Sequence, residues 1–325
     1  MMDDAPGLIF SCALDGTGDA RELTWPEVKT WSSQEEILWV HCDRTHADIQ
    51  QWLQEKSGIN SLVVDALLAE ETRPRFTIFD DSFLLILRGV NFNPGAEPDD
   101  MVSIRLFVDA YRIVSVRHRP VMTIQDIHAS FANHNGPRSP GDFLAVLTDR
   151  LMERMAPVIG QLDEEIDDIE DQMIEQASHQ LRSQLGILRR QAISLRRYIA
   201  PQREVISQLQ LAPVTWLSSP QRAKIREVAD YLIRYVEDLD AARERMGVMQ
   251  EELTGKLSEQ MNKTMYILTV LAGIFLPITF VTGLLGINVG GIPGSENPWA
   301  FIMVCVTLTS AGLLLVGIFR WLKWL

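Results

Sequence analysis

Cysteine is scarce in this chain: only Cys12, Cys42 and Cys305 occur, far apart in 325 residues. That spacing excludes a zinc-knuckle pattern and suits a reduced compartment. A basic surplus is also missing. Thirty Lys and Arg stand against 43 Asp and Glu, a net charge of −13, so there is no electrostatic footprint for nucleic acid. An acidic balance suits a protein that gathers cations, and equally one that only needs solubility. The first residues, Met1-Met2-Asp3-Asp4, lack the basic and apolar regions of a signal peptide. No phosphate-cradling loop is present, because Gly290-Gly291 does not lie between a strand and a helix. With no catalytic constellation either, an enzyme is not expected.

Charge is absent altogether from two long runs, residues 265–285 and 299–319. About 20 apolar residues rising 1.5 Å each cross roughly 30 Å of hydrocarbon, so both runs are expected to span a bilayer. Lys256 and Lys263 precede the first run, and Arg320 and Lys323 follow the second. The connecting loop, 286–298, has no Lys or Arg and a single charge, Glu296. The positive-inside rule then places both termini in the cytoplasm.

Before the spans, the chain changes character twice. Strands are expected at 37–42, 83–90, 102–108 and 112–116, the last two joined by a tight turn at Asp109-Ala110-Tyr111. Helices are expected at 46–56 and 61–69. From Gly141 onward only helical periodicity remains. The expected organisation is an α/β domain (1–140), antiparallel helices (141–217), a stalk helix (218–264), a first span (265–285), a loop (286–298), a second span (299–319) and a tail (320–325).

In the helical zone Leu162, Ile166, Ile169 and Met173 repeat on one face, and seven of the nine residues 163–171 are Asp or Glu. The following helix, about 180–209, carries Arg182, Arg189, Arg190, Arg196, Arg197 and Arg203. Two readings stand: the acidic and basic helices pair, or the acidic block senses a divalent cation.

Ser218-Ser219-Pro220 is a strong helix start, and no proline interrupts the chain again until Pro277. A helix over 220–285 would be about 100 Å long. It carries two stripes. Ile225, Val228, Leu232, Tyr235, Leu239, Ala242, Met246, Met249 and Leu253 alternate by three and four, as in a coiled-coil seam that could hold copies together. Met265, Leu268, Ala272, Leu276, Thr279 and Gly283 fall within about 80° of one face. The same spacing, continued backward, meets Glu251, Glu244, Asp240 and Glu237. Two spans cannot enclose a water path, so a pore on this stripe requires several copies of the first span around one axis. The alternative is a membrane-anchored sensory or scaffolding protein whose acidic stripe faces solvent.

Gly286-Ile287-Asn288, directly after the first of two C-terminal runs, resembles the Gly-x-Asn signature of the CorA superfamily of divalent-cation transporters. Phe275-Leu276-Pro277-Ile278-Thr279-Phe280 with Gly283 is similar to that family's first span. Arg196-Arg197-Tyr198, with Pro201 and Arg203-Glu204-Val205, is similar to its Arg-rich helix. The resemblance implies a funnel-shaped homopentamer in the bacterial inner membrane. It implies an α+β (α/β/α) cytoplasmic domain, a long stalk helix continuous with the first span, and a central pore. The loop Val289-Gly290-Gly291-Ile292-Pro293-Gly294 and Ile287 resemble the zinc-associated ZntB branch, where magnesium-transporting members have Met and loop acids.

The resemblance makes Gly286, Ile287 and Asn288 the selectivity filter; the pore reading of the stripe makes Glu237, Asp240, Glu244 and Glu251 a cytoplasmic vestibule, with Glu296 in the outer loop. The implied cargo is a divalent cation, zinc first and magnesium or cobalt as the alternative, with proton linkage open. The partners are other copies of the chain and the lipid bilayer, and no cofactor is expected. A ring of Asn288 oxygens would contact a hydrated cation, although Asn in this place also serves as a helix cap. His41, Cys42 and His46 are a weak candidate metal cluster; lacking a fourth ligand nearby, such a cluster is more often structural.

Overall fold

The computed structural model describes residues 6–32, 36–175, 177–287, 292, 294 and 297–322. Strands β1 (Leu8–Leu14), β2 (Ala20–Glu22), β3 (Ile37–Asp43), β4 (Arg75–Phe79), β5 (Ser82–Gly89), β6 (Val102–Val108) and β7 (Arg112–Arg117) form one sheet. Their spatial order is β2-β1-β3-β7-β6-β5-β4. Among the described strands only β3 and β7 pair in parallel, with Val40 opposite Val114. The β6–β7 hairpin closes where expected: Asp109 N–H donates to Arg112 O at 3.0 Å, and Tyr111 N–H donates to Asp109 Oδ1 at 2.9 Å. Strands β1, β2 and β4 were not foreseen individually.

Alternation along β3 sends successive side chains to opposite faces of the sheet. Leu38, Val40 and Cys42 join a core with Trp52 and Leu53 of α2 (Ala47–Glu55), and Val63, Val64 and Leu67 of α3 (Ser61–Leu68). Trp25 and Val28 of α1 (Trp25–Thr30) complete that layer; the helix begins at Thr24, whose N–H donates to the Glu27 carboxylate at 2.7 Å. On the other face Trp39 meets Phe143 edge-on at 4.9 Å. Ile124 and Ile127 of α4 (Met122–Ser130) are buried too. Phe143 belongs to α5 (Pro140–Glu175), and α6 (His179–Gln210) reaches the sheet through Gln202, whose Oε1 accepts from Arg88 N–H at 2.6 Å. The architecture is helix, sheet, helix, as expected.

Helix α7 (Ser219–Leu285) is 67 residues long. Its start follows from local chemistry: Ser218 N–H donates to Gln221 Oε1 at 2.9 Å, and Pro220 has no N–H to leave unpaired. A final helix, α8, covers Ala300–Trp321. The chain divides into two compact units, Met1–Gln176 with Gln180–Gln250, and Ala177–His179 with Glu251–Leu325.

In the first unit α5, α6 and α7 share a core. Leu162, Ile166 and Ile169 of α5 are buried, as are Leu185, Leu188, Ala192, Leu195 and Ile199 of α6. The seam residues Ile225, Val228, Leu232, Leu239, Ala242, Met246 and Met249 are all at most 5% exposed within the single chain. Tyr235 alone is half-buried. The seam is therefore a packing seam, but it is filled by the chain's own helices and offers no surface for a second copy. Electrostatics also differ from the expected pairing of α5 with α6. Arg245 of α7 binds Asp167 at 2.6 Å and also Glu170, while Arg196 of α6 binds Asp240 of α7.

Truncating a filled seam position leaves a cavity that typically destabilises by about 2–5 kcal/mol. Leu232→Ala should therefore lower the thermal unfolding midpoint of the detergent-solubilised protein. Its subunit number by native mass spectrometry should not change, whereas an inter-copy seam would lose subunits.

Candidate functional site

Helices α7 and α8 contain apolar windows long enough to cross a membrane, and only 6% and 0% of those windows is buried within the chain. A soluble core helix would be covered; these are not. The two helices meet along one side. A Cβ placed on Gly273 would come within 2.9 Å of Phe319 Cζ, and one on Gly312 would lie 3.5 Å from Ile278 Cδ1. Glycine at 273 thus sets the close approach of the pair. Val270, one turn earlier on that side, is 6% exposed.

At 100° per residue, the stripe Met265, Leu268, Ala272, Leu276, Thr279 and Gly283 lies roughly opposite this contact. All six are exposed; Leu276 is 67% so. Threonines elsewhere on the helix turn their hydroxyls back onto it: Thr264 onto Gln260 O, Thr269 onto Met265 O and Thr282 onto Thr279 O. The hydroxyl of Thr279 has no such partner among the described residues. Pro277 lies inside the helix and removes the bond that would have reached residue 273. The helix ends at Gly286, whose N–H is shared between Thr282 O at 2.9 Å and Gly283 O at 3.2 Å. Ile287 is 49% exposed. Asn288 and Glu296 lie outside the described residues.

Of the four acidic residues before the span, Glu237, Glu244 and Glu251 are exposed. Asp240 is not a free acid. Arg196 grips both its oxygens, at 2.6 and 2.9 Å, and Arg243 approaches at 3.4 Å. The Arg196 hydrogen bond is the main reason that its carboxyl titrates below the usual range.

The three weak metal candidates do not converge. His41 and Cys42 are consecutive on β3 and so point to opposite faces. His41 is buried with Nδ1 2.9 Å from Ser115 Oγ, and its ring lies 5.0 Å from Phe10. Burial, reinforced by Arg117, drives its pKa down to about 3. Cys42 Sγ–H points to Ser115 O at 3.7 Å, and burial raises its thiol to about 12. His46 begins α2, its side chain close under Gly7. Among the described residues, no three His, Cys, Asp or Glu are placed to hold a metal ion.

The chain, an α/β/α domain followed in sequence by two uncovered apolar helices, the first ending on the Gly286 turn, matches the family described as CorA-like Mg2+ transporter protein over residues 34–323. The chain belongs to the CorA-like family. The divalent cation transporter CmaX of Pseudomonas aeruginosa is 39% identical over 329 residues, covering 99% of this chain and 98% of that protein. The zinc transport protein ZntB of Yersinia enterocolitica is 37% identical over 315 residues, covering 97% and 94%. The structure of full-length CmaX superposes with a TM-score of 0.85 at 38% identity, covering all of both chains. As a member of this family the protein is a membrane protein of the divalent-cation transporter class.

Sequence reasoning missed Arg245, whose partners lie 75 residues away or more on α5, and the ion pair that occupies Asp240. Opposite charges on separate helices were visible; which ones meet was not.

His41 generates an acid-sensitivity prediction. Its folded pKa lies below the ordinary 6.5, so between about 6.5 and 3 the unfolded chain holds a proton that the folded chain refuses. Stability should fall as pH drops through that window. His41→Gln should flatten the fall, measured by denaturant unfolding at a series of pH values.

Proposed function

We propose that the protein carries divalent cations, zinc among them, through a central pore formed by the first span of a homopentamer, with both termini in the cytoplasm of a bacterial inner membrane. One observation carries this reading: the stripe from Met265 to Gly283 stays uncovered on the side of α7 away from α8. That face combines small residues with a hydroxyl, at Thr279, that has no internal partner among the described residues. A hairpin cannot enclose water, so the face needs neighbours of its own kind. The relatives named for zinc and for divalent cations support the cargo class.

The chemistry favours a hydrated ion. The stripe contains no His or Cys, the ligands zinc prefers when stripped of water. Asn288 offers a carbonyl acceptor and an amide donor to a hydration shell, and in this reading it rings the outer mouth of the pore together with Gly286 and Ile287. A filter of this kind discriminates weakly among divalent cations, so cobalt and magnesium compete with zinc. Neither span contains an Asp, Glu, His, Lys or Arg, so any proton linkage uses Glu296 outside or the acids before the span. Glu237, Glu244 and Glu251 gather cations at the inner mouth, while Asp240 braces α7 against α6.

In liposomes containing the purified protein and a zinc-sensitive dye, Asn288→Ala should abolish or greatly reduce influx with the pentamer intact by native mass spectrometry. Asn288→Gly should be no better. Normal selective transport by the glycine variant would make Asn288 a helix cap, and a protein found only as monomer or dimer would rule out the pore.

A second comparison separates the acids. Converting Glu237, Glu244 and Glu251 together to Gln should lower influx by roughly 10-fold at low salt, the scale of electrostatic focusing. Asp240→Asn should instead leave influx close to that of the parent and lower the thermal unfolding midpoint only slightly, as loss of a part-exposed ion pair does. Unchanged influx in the triple variant would show that these acids face away from the ion path.

A further inference from the structure

The motif Arg196-Arg197-Tyr198 is only half used by the ion pair to Asp240. Arg197 and Tyr198 help to line a cavity of about 480 Å3, bounded also by residues 70–73 and by β5 and β6. Arg88 and Arg105 are its most buried cations. Arg105 is 1% exposed; it donates to Leu67 O at 2.8 Å, to Ala69 O, to Glu70 O at 3.3 Å and to Ser103 Oγ at 3.3 Å. Arg88 donates to Met101 O at 2.8 Å and to Thr72 O, its guanidinium 4.7 Å from the Tyr198 ring. Its buried Nε–H has no hydrogen-bond partner among the described residues.

Every one of those acceptors is neutral. Neither guanidinium makes an ion pair among the described residues, and burial lowers the basicity of both, Arg105 to about 10. Both remain charged at neutral pH. Three more arginines, Arg73, Arg119 and Arg197, line the rim with His118. Of the lining carboxylates, Asp100 is taken by Arg119, and Glu70 and Glu71 are exposed to solvent, where water screens them. In a chain of net charge −13 this is a local inversion of sign. A buried cation without a counter-charge, as Arg105 is, is costly. Arg88 is half-buried, feels among carboxylates only the Asp100 charge that Arg119 already holds, and spends two of its five donors on carbonyls.

We propose that this cavity is a binding site for a small phosphate-bearing anion, held by Arg88 and Arg197, with the buried charge of Arg105 behind them. The guanidinium fork matches phosphate oxygens in pairs, and several forks around one cavity favour a multiply charged oxyanion over a halide. The cavity volume accommodates a group larger than a single ion. Seated there, the anion would tie α6 to the sheet.

The test is calorimetric titration of the full-length protein in detergent and metal-free buffer with inorganic phosphate and with pyrophosphate, at fixed ionic strength. Saturable binding is expected, tighter for pyrophosphate. Arg197→Gln, at an exposed position, should weaken it about tenfold or more, the loss of one charge-assisted contact, with the thermal unfolding midpoint unchanged. Equal binding by Arg197→Gln, no saturable heat with either anion, or displacement of pyrophosphate by equimolar chloride would each overturn the proposal. The readout is binding and not flux, so it is independent of the transport reading.

Discussion

Apolar helix surface that a chain leaves uncovered must be covered by something other than water, and most of α7 beyond residue 264 and of α8 is of this kind. Backbone groups in such a segment are satisfied within the helix. Side-chain hydroxyls do the same where they can, as at Thr269, Thr282, Thr307 and Thr309. Lipid serves the remaining surface well, except where a polar group has no internal partner. Among the described residues Thr279 is such a place, on the side of α7 away from its contact with α8. The pore proposed above would supply that hydroxyl with water, which lipid does not.

Helix α7 serves a different purpose in the first unit. There its apolar seam is consumed by α5 and α6, and its charged flanks are tied to them by Arg196–Asp240 and Arg245–Asp167. Exposed ion pairs of this sort contribute little stability each. Their effect is to fix which rotation of a long helix is compatible with its neighbours. Asp240 is held in this way, and so it brings less free charge to the acidic stripe than its position implies.

Much of this was legible in the sequence because strong periodicity survives without context. The uncharged runs, the Ser218-Ser219-Pro220 start and the β6–β7 hairpin all emerged within one or two residues. What failed has local causes. Strand β1 is a nearly unbroken apolar run, Leu8 to Leu14, with no alternation to mark it. Strand β2 has three residues, and β4 mixes exposed and half-buried positions at the sheet edge. The seam was recognised but given the wrong partner, because a three-four repeat does not say whether the facing helix belongs to the same chain. His41 and Cys42 looked like a cluster because they are adjacent in sequence, and strand geometry separates adjacent side chains. The Asp240 ion pair joins residues 44 apart, beyond any local pattern.

The glycine at 273 bears on the order of events in biogenesis. Because Phe319 packs into the space it leaves, the instruction to pair the two spans is written within a single chain. Each newly inserted hairpin can therefore close on itself in the bilayer without waiting for a second chain. Whatever the protein later joins, a defect at Gly273 belongs to this first stage, the folding of the hairpin itself.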